Sequence, residues 1–254
     1  MSAHGGTGAN GTNSTNGGTG LRPGVELQAF QDSTQWAWAA AVTVAAALRR
    51  ALETGPRVRL LLSGGTTPGP AYAALARAPL AWDRVDVALV DERWLLPDDP
   101  DSNARLVRES LLANAAAAAR FESITRPGRS IDEAVTAANM HAAHPAAVVV
   151  LGMGEDGHVA SLFPNMIGLA DAIASPRPYV AVDATGCPGA GPWTRRVSLT
   201  PAGLAPAQTR LLLIRGAHKR ALLDRVLAGD DPMEFPVRLA FTTPGAPLRI
   251  LWCP

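Results

Sequence analysis

Ala147-Val-Val-Val-Leu151 runs directly into Gly152-Met-Gly154-Glu-Asp156-Gly157-His158-Val-Ala-Ser-Leu-Phe-Pro164. An unbroken apolar run without polar alternation reads as a strand buried on both faces, and the glycines after it end it abruptly. Outward in both directions the pattern repeats. Val58–Leu62, Val85–Val90 and Leu211–Ile214 are similar runs, and Tyr179–Val182, Val197–Leu199 and Leu248–Leu251 are further strand candidates. Helical stretches separate them: Gln35–Leu52, Pro68–Arg77, Asn103–Leu112, Ile131–Ala143 and Ala217–Leu227. Continuous apolar strands alternating with helices predict an α/β fold, a mostly parallel sheet with helices on both faces. Ligands of such sheets sit beyond the carboxyl ends of the strands, so the loops leaving those ends are the places to look for function.

Composition limits the classes open to the chain. At 254 residues it is long enough for one large domain, and residues 21–254 are expected to form a single α/β catalytic domain. Met1–Gly20 is rich in Gly, Thr and Asn and is expected to be a disordered polar tail, since it has too little apolar surface to offset its ordering entropy. The two Asn-x-Thr patterns within it are read as chance of composition. Charged residues make up 18%, against about 25% in ordinary globular chains. The net charge of +1 and the lack of any basic cluster beyond Arg49-Arg50 and Arg195-Arg196 argue against a nucleic-acid partner. Of the 23 basic residues, Lys219 is the single lysine. Cys187 and Cys253 lack metal or disulfide spacing, so no metal site is expected. The longest uncharged run, Ser33–Leu48, is shorter than the roughly 20 residues of a spanning helix. The N-terminus has no basic start followed by an apolar stretch. The expectation is a cytoplasmic protein without membrane contact, and a monomer, since no apolar seam shows.

Four loops carry chemistry. Ser63-Gly64-Gly65-Thr66-Thr67-Pro68 comes directly after the Val58–Leu62 strand. Its glycines permit close backbone approach, with Thr67 as expected N-cap and Pro68 as first helical residue, so several N–H groups would face one anion. The same residues would also make a plain strand-to-helix turn, and the P-loop spacing is absent. Asp91-Glu92-Arg93 ends the next strand; it is either a solvated loop or a working one, and Asp98–Asn103 after it supplies a helix cap. Gly152-x-Gly154-x-x-Gly157 matches a dinucleotide fingerprint, but Pro164 interrupts any long helix, His158 stands where that helix should begin, and no acidic residue stands about twenty positions on. The remaining reading is a tight loop bringing Asp156 beside His158, a carboxylate able to orient a proton-shuttling imidazole. Arg215-Gly216-Ala-His218-Lys219 opens the last helix; Lys219 is either an ordinary surface lysine or a retained functional one. A phosphate cradle, extra cations and one His/Asp pair together suit an enzyme acting on a small phosphorylated substrate.

These segments resemble the signature segments of the 6-phosphogluconolactonase family. Leu62-Ser-Gly-Gly-Thr-Thr-Pro68, Asp91-Glu-Arg93 with Asp101-Ser-Asn103, Leu151–Pro164, Arg196-Val-Ser-Leu-Thr200 and Gly216-Ala-His-Lys219 occur in the family's order and spacing, from about Glu26 to Trp252. The resemblance implies a Rossmann-like sheet of the glucosamine-6-phosphate deaminase and ribose-5-phosphate isomerase kind. It implies hydrolysis of 6-phosphoglucono-δ-lactone to 6-phosphogluconate in the oxidative pentose phosphate pathway, with a sugar-phosphate lactone as partner and no cofactor. Carried over by position, His158 is the general base and Asp156 its orienter. Ser63, the Gly64, Gly65, Thr66 and Thr67 amides, Lys219 and Arg196 hold the phosphate. Arg93 stands near the sugar or the developing oxyanion, and Asp91, Asn103 and Gly154 complete the substrate-binding set. Two positions depart from the family: Asn165 stands where Gly is usual, and no acidic residue comes after Trp252.

Competing readings use the same loops. An amino-sugar-phosphate deaminase or isomerase would place its carboxylate base at Asp91, and ammonia release from glucosamine 6-phosphate would reveal it. A non-catalytic phosphosugar sensor would need an effector domain, for which the chain has no room outside the core. Turns without function would leave Asp156-Gly-His158 and Lys219 without a reason.

Overall fold

The computed structural model describes residues 21–254; the expected tail, Met1–Gly20, lies outside the described residues. The strands are β1 (Val25–Ala29), β2 (Val58–Leu62), β3 (Val85–Leu89), β4 (Asp91–Arg93), β5 (Arg120–Glu122), β6 (Ala146–Gly152), β7 (Tyr179–Asp183), β8 (Arg195–Leu199), β9 (Arg210–Arg215) and β10 (Leu248–Cys253). Seven of them form a sheet in the order β1-β10-β9-β6-β2-β3-β5, parallel at every pairing. β2 and β3 are buried along their whole length, and β6 is buried up to its last residue. Neither face of these strands meets water, as their unbroken apolar runs require.

β7 and β8 do not join this sheet, which corrects their assignment from sequence. With β4 they make a separate antiparallel sheet, in the order β4-β8-β7. The reason is the connection: no long crossover helix lies between β7 and β8, and a short link suits antiparallel partners only. Val90 joins the two sheets. Its N–H donates to the Leu62 carbonyl (2.9 Å) and its carbonyl accepts from the Leu199 N–H (2.7 Å). The buried Tyr179 hydroxyl adds a second tie, donating to the Leu89 carbonyl at 2.7 Å.

The helices are α1 (Ser33–Thr54), α2 (Gly69–Leu75), α3 (Asn103–Ser110), α4 (Ile131–His141), α5 (Leu169–Ala174), α6 (Pro201–Leu204), α7 (Ala217–Leu227) and α8 (Leu239–Thr242). α1 starts where Asp32 accepts from the Thr34 and Gln35 amides, and α4 starts in a reciprocal Ser130–Glu133 capping box. Buried Trp36 on α1 donates its indole N–H to the Leu251 carbonyl, fixing the helix to β10. Below the antiparallel sheet a second apolar cluster gathers Leu162, Phe163, Met166, Leu169, Ala172 and Leu239.

From β2 the chain moves to β3 and β5 on one side; β6 starts the other side, with β9 and β10 beyond it. The order therefore reverses between β2 and β6, and at such a switch point the loops diverge and leave a crevice. At the opposite, amino ends, charge is gathered instead. Buried Arg59 pairs with buried Glu122 (3.1 Å), and Arg57 and Arg120 flank Asp86.

Candidate active site

A cleft of about 290 Å³ opens at the carboxyl ends of β2 and β6. Every site residue expected from sequence lines it except Asp156, which stands behind His158. The loop after β2 forms one wall. Ser63 is buried, and its carbonyl accepts from the Tyr72 hydroxyl at 2.8 Å, which anchors the loop's first residue. Gly65 has φ +84, a left-handed conformation that glycine adopts without penalty. Gly64 has a different reason: a methyl there would lie 1.8 Å from Asn103 Oδ1, so only hydrogen lets the loop and α3 approach. One expectation is corrected here. Pro68, not Thr67, is the N-cap of α2; it has helical dihedrals and no side-chain cap bond. α2 itself has seven residues, so its dipole is small, and it is the residues of the loop that line the cleft.

The loop after β6 supplies the opposite wall. Asp156 Oδ1 lies 2.6 Å from His158 Nδ1 and also accepts the His158 backbone N–H at 3.1 Å. Burial alone would raise the Asp156 carboxyl, but its hydrogen bond to His158 and the charge there outweigh it and hold the carboxyl below its ordinary value. Gly154 lets the imidazole fold back over the loop, since a methyl there would fall 2.1 Å from His158 Nδ1. Gly157, at φ +83, makes the reversal between the two.

Phe163 was not singled out from sequence as a site residue. It is fully buried, with its ring centroid 4.3 Å from that of His158 and 5.1 Å from the Arg196 guanidinium. Gly189 was also missed: a methyl there would sit 2.3 Å from Asp156 Oδ2, so the 188–190 turn closes down on the carboxylate. Gly189 comes from the connection between β7 and β8, far from Asp156 in the chain, so nothing local marks its contact; Phe163, five residues after His158, reads locally as an ordinary core phenylalanine.

The cations differ in how freely they face the cleft. Arg196 is buried, and its Nε and NH2 groups donate to the Trp193 and Ala190 carbonyls at 2.7 and 2.6 Å. Burial lowers its pKa, Asp91 opposing. Much of its hydrogen bonding thus holds the 190–193 segment. Lys219 reaches over from α7, donating to the Met153 carbonyl at 2.6 Å. Arg93 donates to the Asp101 carbonyl, while its buried Nε has no partner among the described residues.

Asp91 and Glu92 point in different directions from adjacent positions, as strand residues must. Asp91 is buried, accepts the Ser161 hydroxyl at 2.6 Å and receives the Asn103 amide. Glu92 turns inward beneath α3. It accepts the backbone N–H groups of Arg93, Asn103 and Ala104 and the Ser102 hydroxyl. Burial outweighs these donors and pushes its carboxyl up to about 7. Glu92 thereby caps α3 from a distance and fixes Asn103 beside Gly64, a role visible only once β4 and α3 are in place.

Among the described residues no helix is long and apolar enough to cross a membrane, and no three metal-ligating side chains gather at one point. Known proteins resemble this chain over most of its length. A 6-phosphogluconolactonase of Xylella fastidiosa is 47% identical over 231 residues, 90% of this chain and 96% of that protein. One from Pseudomonas aeruginosa is 41% identical over 243 residues, 92% of this chain and 97% of that protein. The crystal structure of a 6-phosphogluconolactonase from Shewanella baltica superposes with a TM-score of 0.82 at 28% identity, covering 92% of this chain and all of that one. A monomeric glucosamine-6-phosphate deaminase, 18% identical with a TM-score of 0.72, shares the fold. The profile of the family described as glucosamine-6-phosphate isomerases/6-phosphogluconolactonase matches residues 31–252, from the cap of α1 to the last strand, and the chain belongs to that family.

Proposed function

We propose that this protein hydrolyses 6-phosphoglucono-δ-lactone to 6-phosphogluconate, the lactone-opening step of the oxidative pentose phosphate pathway. One observation carries the reading: a carboxylate-oriented imidazole faces a glycine-rich loop, Arg93 and Lys219 across one small cleft. The Xylella and Pseudomonas relatives are named for the same activity.

His158 bonded to Asp156 through Nδ1 carries its proton on that nitrogen when neutral, which leaves the Nε2 lone pair free. Nε2 takes a proton from water as the water oxygen bonds to the lactone carbonyl carbon. The carbonyl oxygen gains negative charge, and Arg93, which lines the cleft, is the fixed cation that stabilises it. Collapse of the tetrahedral intermediate breaks the bond to the ring oxygen, which takes the proton back from the imidazolium. Asp156 stabilises that transient cation and keeps the ring oriented. The Ser63–Thr67 loop and Lys219 hold the phosphate, with Arg196 behind them. Binding at this remote group fixes the lactone for attack, the kind of orientation that counts most for an ester already reactive in water.

The rival reading needs Asp91 as an open base. Asp91 is buried and engaged by Ser161 and Asn103, a setting that suits a positioning carboxylate better than a proton acceptor for substrate. The test is lactone turnover, with the lactone generated in place from glucose 6-phosphate and product followed through a coupled dehydrogenase. Acceleration well above spontaneous hydrolysis is expected, falling about 10²–10⁴-fold in His158→Ala with phosphate binding retained. Folded protein that gives no acceleration, or a His158→Ala variant equal to the parent, would overturn the reading. Ammonia release from glucosamine 6-phosphate would then identify the deaminase alternative.

A further inference from the structure

Lys219 does not stand alone in the cleft. Glu155, whose side chain is 68% exposed at the rim, brings Oε1 to 3.5 Å from Lys219 Nζ. Its other oxygen, Oε2, lies 2.6 Å from His218 Nδ1. Glu155 belongs to the loop that carries the catalytic dyad, whereas His218 and Lys219 are adjacent residues at the start of α7. One carboxylate thus spans two neighbours, and it occupies part of the space around the ammonium that an incoming anion must share.

We propose that Glu155 is a built-in competitor for the phosphate in this cleft, a tethered carboxylate that covers Lys219 and is displaced toward His218 when a phosphate dianion binds; the inference rests on the reading that Lys219 holds the substrate phosphate. The physics is a competition between anions for one cation. Glu155 is held in place by the chain, so any anion that takes Lys219 must first displace it, and the anion's affinity is lowered by that cost. A dianion has twice the Coulomb attraction and displaces it. His218 is the alternative partner. It already engages the second oxygen, so the carboxylate leaves Lys219 without becoming unpartnered. The Glu155 and His218 side chains are both well exposed, so water screens the repulsion that remains between Glu155 and bound phosphate, and a change of about three- to tenfold in affinity is the scale expected.

The experiment compares the full-length parent with Glu155→Gln, His218→Gln and the double variant. Calorimetry measures the Kd for 6-phosphogluconate, and initial rates give kcat/KM for three lactones: the 6-phosphorylated one, one with a carboxylate at carbon 6, and uncharged glucono-δ-lactone. In Glu155→Gln, 6-phosphogluconate is expected to bind about three- to tenfold tighter. The preference for the phosphorylated over the carboxylated lactone is expected to hold or to grow, since the removed carboxylate opposes a dianion at least as strongly as a monoanion. In His218→Gln binding is expected to weaken about twofold or more, because Glu155 falls back on Lys219, and this effect is expected to vanish in the double variant. Unchanged or weaker binding in Glu155→Gln would overturn the proposal in favour of a carboxylate that merely steadies Lys219. So would an equal change on uncharged glucono-δ-lactone, or a His218 effect that persists without Glu155. Binding without turnover in the parent would overturn the hydrolase reading alone; no binding of 6-phosphogluconate by the parent would overturn both.

Discussion

Small residues at this site matter through the room they leave. Gly64 faces Asn103 so closely that Gly64→Ala must displace the amide or the loop, since the added carbon would meet Oδ1 at 1.8 Å. A misplacement of about an ångström near reacting groups can cost up to a hundredfold. The variant is expected to lose about ten- to a hundredfold in kcat/KM while its circular dichroism stays that of the parent. Asn165 shows the opposite case, a residue with a side chain where the family usually has glycine. Its φ of +57 is left-handed, and asparagine is among the few residues that accept this region. Asn165→Ala is expected to lose about 1 kcal/mol in urea unfolding, and Asn165→Gly to stay within about 0.5 kcal/mol of the parent. The departure from the family pattern is therefore a substitution within one backbone requirement. His158, Asp156 and the Ser63–Thr67 loop were legible from sequence because each pairs a distinctive side chain or glycine with the end of an apolar strand. Phe163 and Gly189 were not, because a fully buried phenylalanine and a turn glycine look the same wherever they pack.

Elements with a clear apolar pattern were legible nearly to the residue: the strand β2 runs from Val58 to Leu62 and the amphipathic helix α7 from Ala217 to Leu227, as the pattern predicts. β4 was not, since Asp91-Glu92-Arg93 reads as a polar loop and becomes a strand only by pairing with Arg196–Ser198 of β8. β5, Arg120-Phe-Glu122, is a short, charged edge strand without a periodic signal, the usual look of a guarded sheet edge. The link between β4 and α3 carries a consequence for pH. Glu92 has its carboxyl pushed up to about 7 in the folded protein, above the ordinary value near 4.5. Between those two values the native state holds more protons than the unfolded chain, so this group's contribution to stability is complete below about 4.5 and is lost as pH rises through about 7. Glu92→Gln cannot titrate. Thermal unfolding monitored from pH 5 to 8 is expected to show a shallower decline in Glu92→Gln than in the parent, and parallel curves would remove Glu92 as the source.

Across the whole molecule, chemistry and stability are separated along the strand direction. The cleft lies at the carboxyl ends, and the Arg59–Glu122 pair, with both side chains 6% exposed, lies toward the amino ends. Breaking one partner of a buried pair leaves a charge without compensation and typically costs about 3–5 kcal/mol. Glu122→Ala is expected to lower stability by that amount in denaturant unfolding while KM for the lactone stays within about twofold. The parallel sheet could be read from sequence because strands covered on both faces declare themselves by composition alone. The smaller antiparallel sheet could not, because its pairing depends on how far apart in the chain β4 and β8 meet. The same distance effect governs β1 and β10, which lie side by side although Val25 is matched to Leu248. β1 has no other neighbour in the sheet. At roughly 5–20 residues per second on the ribosome, its partner is synthesised roughly ten to forty-five seconds later. Through that interval the nascent chain has to keep its first strand unpaired and soluble. The alternation of Glu26 and Gln28 with Val25 and Leu27 gives that strand one polar side during its wait.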